Sequence, residues 1–187
     1  MKKIILSTFL ITVLFSCKKE AEKTEDNTVS ADSISDVMSS EPVSAVAKLQ
    51  SLSPSQTSDY LQTKNDTLYV TNFFATWCGP CVREIPHFKE KIEELKGQPV
   101  KITFISLDNK EVWNSEVPQF VDQHGIRNNT ILLDGSQLDG NFFQNNFDKW
   151  DGGAIPFTYM RKGEKTDEYL GMMTSDLLNS KIDSFLK

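Results

Sequence analysis

The stretch from Leu68 to Leu95 constrains the fold most. Leu68-Tyr69-Val70-Thr71-Asn72-Phe73-Phe74 is rich in β-branched and aromatic residues, the signature of a short buried strand. Trp77-Cys78-Gly79-Pro80-Cys81 follows, and then Ile85, Phe88, Ile92 and Leu95 recur at helical spacing, with Gly97 as the stop. Two cysteines are thus predicted at the join of a strand and a helix. The thiolate is the reactive form of cysteine, and the free N–H groups and positive dipole end of a helix N-terminus stabilise it. Two intervening residues bring both sulfurs within bonding reach across the first turn. Pro80 has no N–H to donate, but first-turn positions need none. A structural zinc site would want two further Cys or His ligands at similar spacing. The chain has only His87, His124 and one other cysteine, Cys17, so the pair reads as redox-active.

The rest of the chain supplies an alternation of strands and helices. Ser53 or Ser55 is placed to cap a short helix running toward Leu61. Val100 to Ile105 is a second strand, Val117, Phe120 and Val121 mark a helix stopped by Gly125, and Thr130 to Leu133 is a third strand. Pro156 to Met160 and Lys165 to Leu170 read as a hairpin joined by Arg161-Lys162-Gly163-Glu164. Leu178, Ile182, Phe185 and Leu186 form the apolar face of a closing helix capped by Thr174 or Ser175. Strands alternating with helices and ending in an antiparallel hairpin predict an α/β fold with a mixed central sheet.

Residues 1–16 have the layout of a secretory signal: Lys2 and Lys3, then an apolar stretch from Ile4 to Phe15. It ends at Leu14-Phe15-Ser16-Cys17, which resembles a bacterial lipobox, although Phe15 is bulkier than the usual residue. Lipidation of Cys17 is therefore expected, against the alternative of a plain signal or an uncleaved anchor with an incidental cysteine. Residues 17–45 carry a mixed charge run and a Ser-rich stretch, and no aromatic occurs between Phe15 and Tyr60. Such a segment cannot offset its ordering entropy by burial. It is expected to be a flexible tether reaching roughly 30 Å from a membrane, with the folded domain at 46–187. The formal charge of −6 argues against a nucleic-acid partner. An exported chain with a close cysteine pair works where disulfides persist.

Val70 to Pro86, VTNFFATWCGPCVREIP, resembles the thioredoxin superfamily and, more closely, its membrane-tethered TlpA/ResA-like branch. The resemblance implies a thioredoxin-like fold, with Ser106 to Gln144 as a TlpA-like helix-and-strand insertion, and it implies no cofactor. Pro86 matches the proline that kinks the active-site helix. Ile155-Pro156 matches the cis-proline loop that faces the cysteines. Trp77, Gly79, Pro80, Ile155 and Pro156 would then form the substrate-binding surface, with a substrate strand added along it. Where thioredoxin has a buried aspartate, this chain has Asn72, which cannot ionise. Glu84, three residues after Cys81, is the replacement candidate for the proton of Cys81; the alternative is a solvated carboxylate on the helix. His87 reads as a surface helix residue, His124 as a helix C-terminal residue near the negative end of the dipole, and Trp113 and Trp150 as core or loop.

The implied reaction is thiol–disulfide exchange. Cys78 attacks, Cys81 resolves, and the Gly79-Pro80 dipeptide points to a reductase of disulfide-containing envelope proteins, apocytochrome c among them. A membrane thiol-transfer protein would supply the electrons. A disulfide oxidase or isomerase is the nearest alternative, and a Sco-like copper-binding module a more distant one, since that reading wants C-x-x-x-C and a histidine. A peroxiredoxin would want a lone cysteine after a Pro/Thr-rich loop, which is absent.

Overall fold

The computed structural model describes residues 48–187. The expected leader at 1–16, the Cys17 anchor and the 17–45 tether lie outside the described residues.

A six-stranded sheet organises the described chain, in the order β1-β4-β3-β2-β5-β6. The strands are β1 (Gln50–Ser51), β2 (Leu68–Phe74), β3 (Val100–Ser106), β4 (Thr130–Leu132), β5 (Phe157–Lys162) and β6 (Lys165–Leu170). The first four run parallel, and β5 and β6 close the sheet antiparallel to their neighbours. The sheet is therefore mixed, as expected. Both faces are covered, because successive strand residues point to opposite sides. Leu68, Val70 and Phe74 of β2, with Ile102 and Phe104 of β3, join one core with α2 (Gly79–Glu94), α3 (Glu116–Gln123) and α5 (Ser175–Leu186). Phe73, Ile105, Phe157 and Tyr159 join the other, beneath α1 (Pro54–Leu61) and α4 (Gly140–Asn146). Among the described residues no helix is long and apolar enough to cross a membrane.

Local chemistry sets the helix starts. Of the two serines proposed for α1, Ser53 is the cap: its Oγ accepts from the N–H of Gln56, whose side chain accepts from the N–H of Ser53. Thr174 caps α5 by accepting from the N–H of Leu177. The hairpin turn is tighter than the sequence suggests. Arg161 and Lys162 remain in β5, Lys162 faces Lys165, and only Gly163-Glu164 turn, with Gly163 at φ 57°. A two-residue loop of this kind needs positive φ, which glycine adopts at no steric cost.

Register carries three loops to one end of the sheet. Phe74 pairs with Ser106 in parallel, and Phe73 pairs with Phe157 in antiparallel. The segments beyond Phe74, beyond Ser106 and before Phe157 therefore meet, and the cysteine motif lies in the first of them.

Candidate functional site

Cys78 is the N-cap of α2, with an extended backbone, and its Sγ accepts from the N–H of Cys81 at 3.3 Å. The backbone N–H of Cys78 in turn donates to the carbonyl of Ala75. The two cysteines form a disulfide, with Cα atoms 5.3 Å apart. The sequence-predicted pair is thus joined across the first turn. Both cysteines are buried, but only Cys78 borders the adjoining groove. In a thiolate, the hydrogen bond from the N–H of Cys81 and the helix dipole would both favour the charged sulfur of Cys78.

The groove has a volume of about 500 Å³ and runs between the cysteine loop and the segment before β5. Trp77, Gly79 and Pro80 form one wall with Cys78, and Gly152, Gly153, Ala154 and Ile155 the other. Trp77 is 75% exposed, so it presents a large apolar face to solvent rather than packing inward. Ile155-Pro156 is cis, and the carbonyl of Ile155 lies 3.8 Å from the Sγ of Cys78. The groove does not include Pro156, which is buried beside it.

Trp150, read as core or loop, is core and props the second wall. It stacks on Phe157 at 4.3 Å, and its Nε1–H donates to the carbonyl of Ala154 at 2.8 Å. Gly152 sits at φ 85° over the ring of Phe143, with no room for a β-carbon: one placed there would come within 2.4 Å of the ring. Helix α4 thereby shapes the groove, although it holds no residue of the cysteine motif.

Glu84 is not solvated. It is fully buried on α2, one turn beyond Cys81. Its Oε1 accepts from the Asn72 amide at 2.7 Å and its Oε2 from the N–H of Met173 at 2.8 Å. Burial strips water from the carboxylate and raises its pKa from the usual 4.5 to about 7, against the opposing pull of the Met173 and Asn72 hydrogen bonds. The same amide also donates to the Thr158 hydroxyl, while the Oδ1 of Asn72 is buried without a partner. The position that cannot ionise and its candidate replacement are therefore in direct contact. His87 is half-buried on α2, and His124 is half-buried at the C-cap of α3, against Phe120.

Asp108 is the residue that sequence reasoning missed. It follows β3 and is buried, with hydrogen bonds from Thr76 and Ser106. Its signal was available in the strand register. Thr76 and Asp108 each stand two residues past the paired residues Phe74 and Ser106, so parallel pairing places them side by side.

Comparison with known proteins gives a consistent picture. Residues 44–163 match the AhpC/TSA family. The thiol-disulfide oxidoreductase ResA of Oceanobacillus iheyensis is 30% identical over 114 residues, covering 60% of this chain and 54% of that protein. The thioredoxin-like protein YneN of Bacillus subtilis is 26% identical over 125 residues, covering 66% of this chain and 68% of that protein. The chain thus spans about half the length of the ResA relatives it matches. Among solved structures, a thiol:disulfide interchange protein of the thioredoxin family from Chlorobium tepidum superposes with a TM-score of 0.53 at 20% identity, covering 70% of this chain and 85% of that one. The fold is thioredoxin-like.

Proposed function

The chain belongs to the AhpC/TSA family, and from that premise we propose that it is a thiol–disulfide oxidoreductase that reduces disulfides in envelope proteins. The observation that carries the reading is the Cys78–Cys81 disulfide at the start of α2, with Cys78 facing an open apolar groove.

In the reduced protein the Cys78 thiolate attacks one sulfur of a substrate disulfide. The substrate bond breaks, a mixed disulfide forms, and one substrate thiolate leaves and takes a proton. Cys81 then loses its proton and attacks the Sγ of Cys78. That step releases the second substrate thiol and closes the Cys78–Cys81 bond, so the two electrons gained by the substrate come from the pair. A group with a pKa near 7 suits the proton of Cys81. Glu84 is placed for it one turn away, and each carboxylate oxygen keeps accepting capacity beyond its one hydrogen bond. Trp77, Gly79 and Pro80 on one side and Ile155 on the other, with Pro156 buried behind that second wall, receive the substrate segment. Its backbone would pair along the Ile155 side as an added strand.

The Gly79-Pro80 dipeptide supports the reducing direction. The lipobox-like Leu14 to Cys17 supports a lipid anchor in the cell envelope, with residues 17–45 as the tether and the folded domain facing the periplasm. A membrane thiol-transfer protein then restores the dithiol, and apocytochrome c is one candidate substrate.

Reduction of insulin disulfides, followed by turbidity with dithiothreitol as donor, tests the activity. The wild type should accelerate precipitation and Cys78→Ser should not. Equal rates with and without the protein would remove the proposal.

A further inference from the structure

Asp108 is a buried carboxylate that the exchange steps above do not use. The Oγ–H of Thr76 donates to Oδ1 at 2.7 Å, and the N–H of Thr76 is shared between Oδ1 at 3.2 Å and Oδ2 at 3.0 Å. The Oγ–H of Ser106 donates to Oδ2 at 2.7 Å. The residue's own backbone is held as well: its carbonyl accepts from the Trp113 indole at 2.8 Å, and its N–H donates to the Ser106 hydroxyl. None of the ion pairs among the described residues involves Asp108. A buried carboxylate without a cation is tolerated only when donors saturate it. Here most of that donation comes from Thr76, two residues ahead of Cys78. The turn between them is closed by the N–H of Cys78 on the carbonyl of Ala75 at 3.0 Å.

We propose that Asp108 is a positioning residue for Cys78: by anchoring Thr76 it holds the attacking sulfur in line with the N-terminus of α2 and against the Ile155 carbonyl. The inference rests on the reading of Cys78 as the attacking thiol. Other charged or titratable groups near Cys78 are Cys81 and Glu84 on α2, and Arg83, whose guanidinium folds back toward Gly79. Across the groove, Asp151 is turned into its own loop, where it accepts from the N–H of Gly153. The Gly171–Met173 segment brings no charge. Asp108 is thus the only carboxylate tied to the cysteine loop itself among the described residues.

The experiment reads the alkylation rate of Cys78 by iodoacetamide in phosphine-reduced protein, peptide by peptide in a mass spectrometer, from pH 5 to 9. It needs no substrate disulfide, so its result is separate from the insulin assay, which judges the proposed activity. Asp108→Ala releases Thr76. Displacing the Cys78 sulfur from the N-terminus of α2 takes away the N–H and dipole that favour its thiolate, the only form that alkylates, so alkylation at pH 7 should slow about 10-fold, and the profile should move to higher pH. Asp108→Asn keeps an oxygen for Thr76 and turns its amide to the Ser106 hydroxyl. It should stay within about threefold of wild type, with no move to higher pH, as expected when the hydrogen bonds rather than the charge do the holding. Urea midpoints for every variant separate positioning from loss of fold. If Asp108→Ala does not fold, Thr76→Val carries the test: it removes one of the bonds and should slow alkylation about threefold. Folded Asp108→Ala, or Thr76→Val in its place, reacting at the wild-type rate would overturn the proposal. So would an Asp108→Asn variant as slow as Asp108→Ala.

Discussion

Replacing Glu84 by Gln should make the oxidised protein more stable at neutral and alkaline pH, and progressively less so as the pH falls. The carboxyl has a pKa of about 7 in the folded chain, against 4.5 ordinarily, chiefly because burial disfavours its charged form. Between those values the native state binds more protons than the unfolded one, so stability falls as pH rises through the window and is level above it. The gap corresponds, at about 1.4 kcal/mol per pH unit, to about 3 kcal/mol. Gln has no charge to bury. Its oxygen can accept from the N–H of Met173, and its amide can donate to the Oδ1 of Asn72 once that side chain turns round, giving the buried orphan oxygen a partner. The assay is urea unfolding of the disulfide form of both proteins at half-unit steps from pH 4.5 to 8, with the slopes checked for equality. The stability of Glu84→Gln minus that of wild type should grow by about 3 kcal/mol across the series, most of it between pH 5 and 7. A difference that stays constant with pH would refute the reasoning, because it would mean that folding does not perturb the carboxyl. A difference that shrinks toward pH 8 would mean that folding favours the charged form.

Three further outcomes are expected. Cys81→Ser should accumulate mixed disulfides with natural partners in cells, seen as thiol-sensitive high-mass bands, while Cys78→Ser should trap far less; equal trapping would contradict the assigned roles. Metabolic labelling with a fatty-acid analogue should tag the wild type and not Cys17→Ser, and labelling that survives the change would remove the anchor. Gly152→Ala should lower stability by about 1–3 kcal/mol, because its β-carbon meets the Phe143 ring at a positive φ; an unchanged urea midpoint would contradict the tight approach of that loop to α4.

The cysteine motif and its setting were legible because both signals are local. A β-branched and aromatic run, a spacing of two between the cysteines and an apolar stripe at helical period lie within residues 68–95, and each follows from nearest-neighbour geometry. What escaped was set by distant partners. Strand β1 is only two residues long and exists through its pairing with Ile131 and Leu132 of β4. Helix α4, GNFFQNN, carries glycine and asparagine, which favour other conformations, and two adjacent phenylalanines in place of a stripe. Asp139 starts it by accepting from the N–H of Phe142, and Phe142 anchors it in the second core. The site divides in the same way. Glu84 could be placed on the helix face of Cys81, but its burial depends on Asn72 from β2 and Met173 from the segment before α5. Asp108 sits in an ordinary-looking stretch, Ser106 to Asn109, and gains meaning only from parallel register with the cysteine loop.

The central claim is that the Cys78–Cys81 pair donates electrons to other proteins, and the reduction potential of the pair tests it most directly. The protein would be equilibrated in defined glutathione or dithiothreitol buffers and the dithiol fraction read by alkylation and mass spectrometry. The account predicts a potential near that of thioredoxin, about −270 mV. A value above about −180 mV, the range of isomerases and oxidants, or a pair that never equilibrates with the buffer, would contradict it.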